Sequence, residues 1–155
     1  MNRWIENGLR LARNRAGNIM IEFALGSGVL LAAFTGTFQF GYTFLQYNNL
    51  ANAVARGARY ASLVPYDSAT TDPSATFQTA VQNMVLCGSP ATCATPVLSG
   101  LTAGNVILVV TFTNGVPSGM TVSISRYTIN SVFATTTLTN KPQVTYAYQG
   151  IWAPV

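Results

Sequence analysis

The chain has 155 residues, enough for about one domain, and is 49% hydrophobic with only 8% charged residues, far more apolar than an ordinary soluble protein. It has no histidine, and beyond residue 17 its carboxylates are Glu22, Asp67 and Asp72, far apart in sequence; most general acid/base and metal-ligating constellations are thereby removed, so no enzyme, cofactor or metal site is expected. The net charge of +4 is uneven, because Arg3, Arg10, Arg13 and Arg15 against Glu6 put +3 in the first 17 residues, while Arg56, Arg59, Arg126 and Lys141 against three acids leave +1 in the remaining 138. The sequence pI of 9.4 therefore describes an N-terminal leader and no nucleic-acid-binding face.

In residues 1–17 the positions Trp4, Ile5, Gly8, Leu9 and Ala12 recur at helical spacing with the arginines mostly off that face, the pattern of a short amphipathic helix on the inner leaflet. From Ile19 to Leu45 the only charged residue is Glu22. The uncharged stretch Phe23–Leu45 makes about 34 Å of helix, enough to cross a bilayer core of roughly 30 Å. The preceding arginines predict a cytoplasmic N-terminus, with everything after about residue 46 outside.

The helical pattern continues past the membrane edge. Ala51, Val54, Ala55, Ala58 and Ala61 form a small apolar stripe, and Asn49, Asn52, Arg56 and Arg59 a polar one. One helix from about Ile19 to Leu63 would be on the order of 65 Å long, and Val64-Pro65 ends it because the residue before proline is pushed out of the helical region. Residues 65–74 read as a loop, with Asp72 as N-cap and Pro73 at the first position of a second helix. That helix carries an apolar stripe at Phe77, Ala80, Val81, Met84 and Val85.

The C-terminal third is rich in β-branched and aromatic residues, predicting strands over Val106 to Thr113, Thr121 to Ile129 and Val144 to Trp152. Residues 114–119 form the hairpin connection between the first two. Residues 130–142 are ambiguous, with Val132 and Phe133 as anchors of a loop or short strand. Cys87 and Cys93 read as a small structural disulfide, which implies an oxidising compartment; free thiols and a redox pair are the alternatives, and the spacing is not Cys-x-x-Cys. The expected fold is α+β: a long membrane-spanning helix, then a small extracytoplasmic domain with one helix on a three- to four-stranded antiparallel sheet. Its expected divisions are a leader at 1–17, a long helix at 18–63 (span about 21–45, amphipathic extension 46–63) and a domain at 64–155.

At the border of leader and span, Gly17 is followed five residues later by Glu22, which resembles the cleavage site of type IV prepilins. A peptidase needs an unhindered, extended backbone at the cut, between Gly17 and Asn18, and glycine supplies it. A carboxylate in an apolar helix demands a partner; the resemblance implies the freed amine of Asn18, in the same or a neighbouring subunit, so that Glu22 sets assembly register. A plain signal anchor whose Glu22 snorkels to the headgroups is the competing reading. Glu22-Phe23-Ala24-Leu25, Gln39-Phe40-Gly41-Tyr42 and Ala55-Arg56-Gly57-Ala58-Arg59-Tyr60-Ala61 resemble the TadE family of tight-adherence pilus systems. The chain departs from that family in having Gln39 where an acid is common, and Gly26-Ser27-Gly28 where a proline is frequent.

The resemblance implies a pilin-like subunit of a tight-adherence type IV pilus, and a length well above that of the small major pilins typical of such systems favours the minor role over the major one. Its partners would be a prepilin peptidase, other pilin-like subunits, the inner-membrane assembly platform and membrane lipid. It would sit as a single-pass protein of the bacterial cytoplasmic membrane, moving into a homo-oligomer or extracellular filament on assembly. The alternatives are an uncleaved membrane-anchored adhesin or sensor, or the major subunit of a filament. Independently of any family, Ala24, Gly28, Ala32 and Gly36 make a smooth ridge suited to close helix packing, although small residues are common in membrane helices. Arg56 and Arg59 read as either an interface or a solvated face. Tyr127, Tyr146, Tyr148 and Trp152 suit core or rim packing better than carbohydrate stacking.

Overall fold

The computed structural model describes residues 3–131 and 135–154, with side chains from Gly17 onward; Val132 and Phe133, and the side chains of the leader, lie outside that set. Helix α1 (Arg3–Leu63) is followed by α2 (Ala75–Cys87) and strands β1 (Val106–Thr113), β2 (Val116–Ile124), β3 (Tyr127–Asn130), β4 (Thr135–Leu138) and β5 (Gln143–Ala147). The chain divides into two units, Met1–Gly41 and Tyr42–Val155. The fold is α+β: a three-stranded antiparallel sheet in the order β1-β2-β5 and a separate two-stranded pair β3-β4.

In the second unit, α1 contributes Leu50, Ala53, Val54, Ala58 and Ala61 to a core shared with Phe77, Val81 and Val85 of α2 and with Val106, Val110, Met120, Val122 and Ile124 of the sheet. The buried stripe is rotated from the sequence reading: Ala51 and Ala55 are only half-buried, while Leu50 and Ala53 are enclosed. Gly57 explains why, because α2 crosses α1 there. A Cβ at Gly57 would collide with the Val85 side chain and lie 3.6 Å from the Val81 carbonyl oxygen.

Local chemistry sets the remaining elements. Ser74, not Asp72, caps α2: its hydroxyl accepts the Phe77 N–H at 3.1 Å and donates to the Asp67 carboxylate at 2.5 Å. Gly88, at φ 73°, closes the other end. The disulfide Cys87–Cys93, Cα atoms 5.6 Å apart, ties the end of α2 to the loop beyond it. The β1–β2 connection is only Asn114-Gly115, both at positive φ (53° and 79°), the two-residue hairpin turn that matches strand twist. Pro117 therefore falls inside β2, beside a register shift between Thr111 and Phe112 that accommodates a residue with no N–H to donate. The expected strand Thr121 to Ile129 is two strands in different sheets, broken where Arg126 takes φ 59°. The last expected strand stops at Ala147.

The residues after Ala147 fasten the end of α1. Gln149 N–H donates to Ser62 O at 2.9 Å, and the Tyr148 hydroxyl lies 3.1 Å from Val64 O and 2.8 Å from Ile151 O while accepting the Tyr66 N–H at 2.8 Å. Gly150 is obligatory here, since a Cβ would stand 2.6 Å from Val64 O. Tyr66, fully buried, meets Phe77, Phe112 and Tyr148 edge-on at centroid distances of 5.2, 6.1 and 6.4 Å. Tyr127 is buried too, donating to Ser99 O at 3.1 Å.

Gly57→Val should destabilise the domain by about 1–3 kcal/mol through overpacking against Val85, and Val85→Ala should recover part of the loss; urea unfolding of the full chain in non-ionic detergent measures both. Burial raises the phenol pKa values of Tyr66, Tyr127 and Tyr148 above the ordinary 10.0. The folded chain keeps these protons after the unfolded chain has lost them, so stability holds below about pH 10 and falls as pH climbs through the raised values. Tyr148→Phe should cost about 1–3 kcal/mol at neutral pH, by removing the hydroxyl that serves Tyr66, Val64 and Ile151, and should shrink the alkaline loss in the same assay.

Candidate functional site

Among the described side chains of the first unit, those from Gly17 to Gly41, the large apolar ones of the helix stay exposed. Ile19, Met20, Ile21, Phe23, Leu25 and Val29 are 62–76% exposed, and so it continues to Phe40 at 75%. By length and composition the helix from Gly17 to Leu63 is able to cross a membrane. Between Gly17 and Gly41 its hydroxyls are compatible with lipid, because each turns back onto the helix: Ser27 Oγ to Ala24 O at 3.0 Å, Thr35 Oγ1 to Leu31 O at 2.7 Å and Thr37 Oγ1 to Ala33 O at 3.0 Å.

Gly17, Asn18 and Glu22 all lie exposed within α1. Gly17 is helical, so the extended backbone expected at a cut is not its conformation here. Glycine eases local opening, being about 1 kcal/mol less helix-favouring than alanine. Asn18 and Glu22 stand four residues apart, one helical turn, on neighbouring surface positions. Among the described residues Glu22 has no hydrogen-bond or ion-pair partner. The ridge Ala24, Gly28, Ala32 and Gly36 is exposed along its length, and a Cβ at either glycine would meet nothing within 4 Å.

In the second unit the polar stripe of α1 borders a groove of about 550 Å³, lined by Asn49, Asn52, Arg56, Arg59, Val97 and Tyr146. Both guanidinium groups border this open groove and, among the described residues, neither has a hydrogen-bond or ion-pair partner. Arg56 lies near Gly88, its Nη1 3.5 Å from where a Cβ there would stand. No group of three or more His, Cys, Asp or Glu able to hold a metal ion occurs among the described residues. The groove wall supplied by Val97 and Tyr146 escaped sequence reasoning, since both come from segments distant from α1; so did the close approach at Gly57, although a glycine between two arginines on a helix was its signal.

Residues 17–59 match the family model described as TadE-like protein. This stretch of the chain is TadE-like. None of the curated proteins and none of the solved structures matches the chain. The TadE-like stretch takes in the exposed apolar helix, Glu22, the small-residue ridge, the close approach at Gly57 and both groove arginines, and it stops before α2 and the sheet. It thus identifies α1 and leaves the domain to be read from its own residues. The TadE-like family is one of structural, pilin-like proteins of tight-adherence pili; it implies other pilus subunits as partners and, with the apolar helix, membrane anchoring.

Proposed function

We propose that this protein is a minor pilin-like subunit for assembly of a tight-adherence pilus, inserted with its N-terminus in the cytoplasm and cut by a prepilin peptidase after Gly17. The observation that carries the proposal is the bare apolar run of α1 with one carboxylate, Glu22, four residues after Asn18.

Before the cut, Glu22 has to reach water or headgroups, because a carboxylate at the centre of a span costs about 2.5–3.5 kcal/mol or more. The cut changes its surroundings in two ways. A new amine appears at Asn18, one turn away, and α1 acquires a new N-terminus whose unpaired N–H groups and dipole favour negative charge. In low dielectric this pairing is far stronger than between exposed charges in water. Glu22 then fixes the axial position of the subunit, whether it takes its own amine or that of a neighbour. The same cut removes the leader arginines, leaving a nearly neutral subunit able to move from lipid into contact with other apolar helices. The ridge from Ala24 to Gly36 lets those helices approach closely, while the inner-membrane platform and the lipid hold the subunit beforehand. The domain, with its disulfide, is displayed outside.

Mass spectrometry of the chain recovered from its native host should find Asn18 as the first residue. An intact N-terminus at Met1 would overturn the processing step and favour an uncleaved, membrane-anchored adhesin or sensor.

A further inference from the structure

The groove beside Arg56 and Arg59 is one wall of a larger surface, whose other wall is the free edge of the sheet. In the order β1-β2-β5, β5 is an edge strand, and Tyr146 of β5 lines the groove. The hydrogen bond from Tyr148 N–H to Ser118 O, 2.9 Å, fixes which backbone groups of β5 point where. Bonded pairs alternate along an antiparallel ladder, and Met120 faces Tyr146 while Val122 faces Val144. These pairs bond inward, which turns the N–H and C=O groups of Gln143, Thr145 and Ala147 away from β2. All three residues are exposed, and among the described residues none of their outward backbone groups has a hydrogen-bond partner. An uncovered edge of this kind is a template for another strand.

We infer that the β5 edge and the Arg56/Arg59 groove together form a docking surface for an extended, carboxylate-bearing segment of a partner subunit. The backbone of the segment pairs with Gln143, Thr145 and Ala147, and its side chains on alternate residues face the groove. Charge complementarity sets the chemistry. Arg56 and Arg59 are three residues apart on one helix face, so their guanidinium groups are neighbours, and each offers a paired set of donors matched to a carboxylate. Asn49 and Asn52 add amide donors and acceptors, and Tyr146 with Val97 supplies an apolar wall.

A second copy of the chain fits poorly as the occupant. Its acids on the C-terminal side of the span, where the groove lies, are Asp67, already bonded to Ser74, and Asp72, both in a loop tied down by the Tyr66 hydroxyl bonding to Thr70 O at 2.7 Å. Lipid phosphate fits poorly as well, since Arg56 and Arg59 lie about 16 and 21 Å of helix beyond Leu45, past a headgroup layer of roughly 5–8 Å. The inference rests on the pilus-assembly reading for the partner being another subunit and for the groove lying outside the membrane.

The test uses the full chain in non-ionic detergent and a short blocked peptide alternating valine with glutamate, with a valine–lysine peptide as control, measured by calorimetry at two salt concentrations. The glutamate peptide should bind in a salt-sensitive way and the lysine peptide should not. Arg56→Gln with Arg59→Gln should weaken binding on the order of tenfold or more, with circular dichroism unchanged. Thr145→Pro, which removes an outward N–H and none of the ladder to β2, should weaken it as well. Binding indifferent to the arginine pair or to Thr145→Pro would overturn the surface as drawn. Arginine substitutions that reduce only attachment to phosphatidylglycerol nanodiscs, or only self-association of the chain, would overturn its occupant. A chain that begins at Asn18 in its host yet ignores the acidic peptide would sink this inference and leave the assembly reading standing.

Discussion

From Ile19 to Phe40 the large apolar side chains of α1 stay exposed, whereas from Leu50 onward one face of the same helix is closed by protein. Burying a single leucine or phenylalanine is worth roughly 1.5–3 kcal/mol, so a bare run of such residues is incompatible with water as its final surroundings. The other properties of this half of the chain derive from that constraint. Charges are excluded apart from Glu22, hydroxyls are turned back onto the helix, and the surface alternates large rings with a ridge of alanine and glycine. On the proposed reading, lipid satisfies the run before assembly and helices of neighbouring subunits satisfy it afterwards; the same surface suits both because neither asks for hydrogen bonds.

The remainder of the molecule packs against the C-terminal half of α1. Gly57 lets α2 cross closely, and the alanines around it keep the helix thin enough to share a core with the sheet. The end of the helix is held from the opposite end of the chain, through Gln149 to Ser62 and through the Tyr148 hydroxyl to Val64 and Tyr66. A domain this small has a limited core, and the six-residue separation of Cys87 and Cys93 restricts its unfolded chain further. The polar stripe of α1 is left outside the core, so the two arginines face outward beside the β5 edge.

Periodicity over long stretches is legible in the sequence, as are the boundaries that depend on proline. α1 ends where Val64-Pro65 requires, and β1 spans the expected Val106 to Thr113. Features that depend on single residues in unusual conformations, or on contacts between distant segments, are not legible. Arg126 in the left-handed region splits what reads as one strand, and no residue type announces that. Asp72 reads as the better cap, but Ser74 caps because its hydroxyl bonds both Phe77 N–H and Asp67. The apolar stripe of α1 reads about one residue away from its true place because alanines line both the buried and the half-buried sides; α2 crossing at Gly57 decides between them. The place of Gly17 and Glu22, at the border of the basic and the apolar stretches, is visible in the sequence, while the groove is hidden because Val97 and Tyr146 reach α1 only through the fold.

The exposed half of α1 is, on this reading, the assembly surface. A photo-crosslinking residue in place of Gly28, in the native host, tests that most directly. Crosslinks from this position to other pilin-like subunits are expected when the pilus machinery is present, and to lipid when it is absent. Crosslinks to lipid alone under both conditions would contradict it.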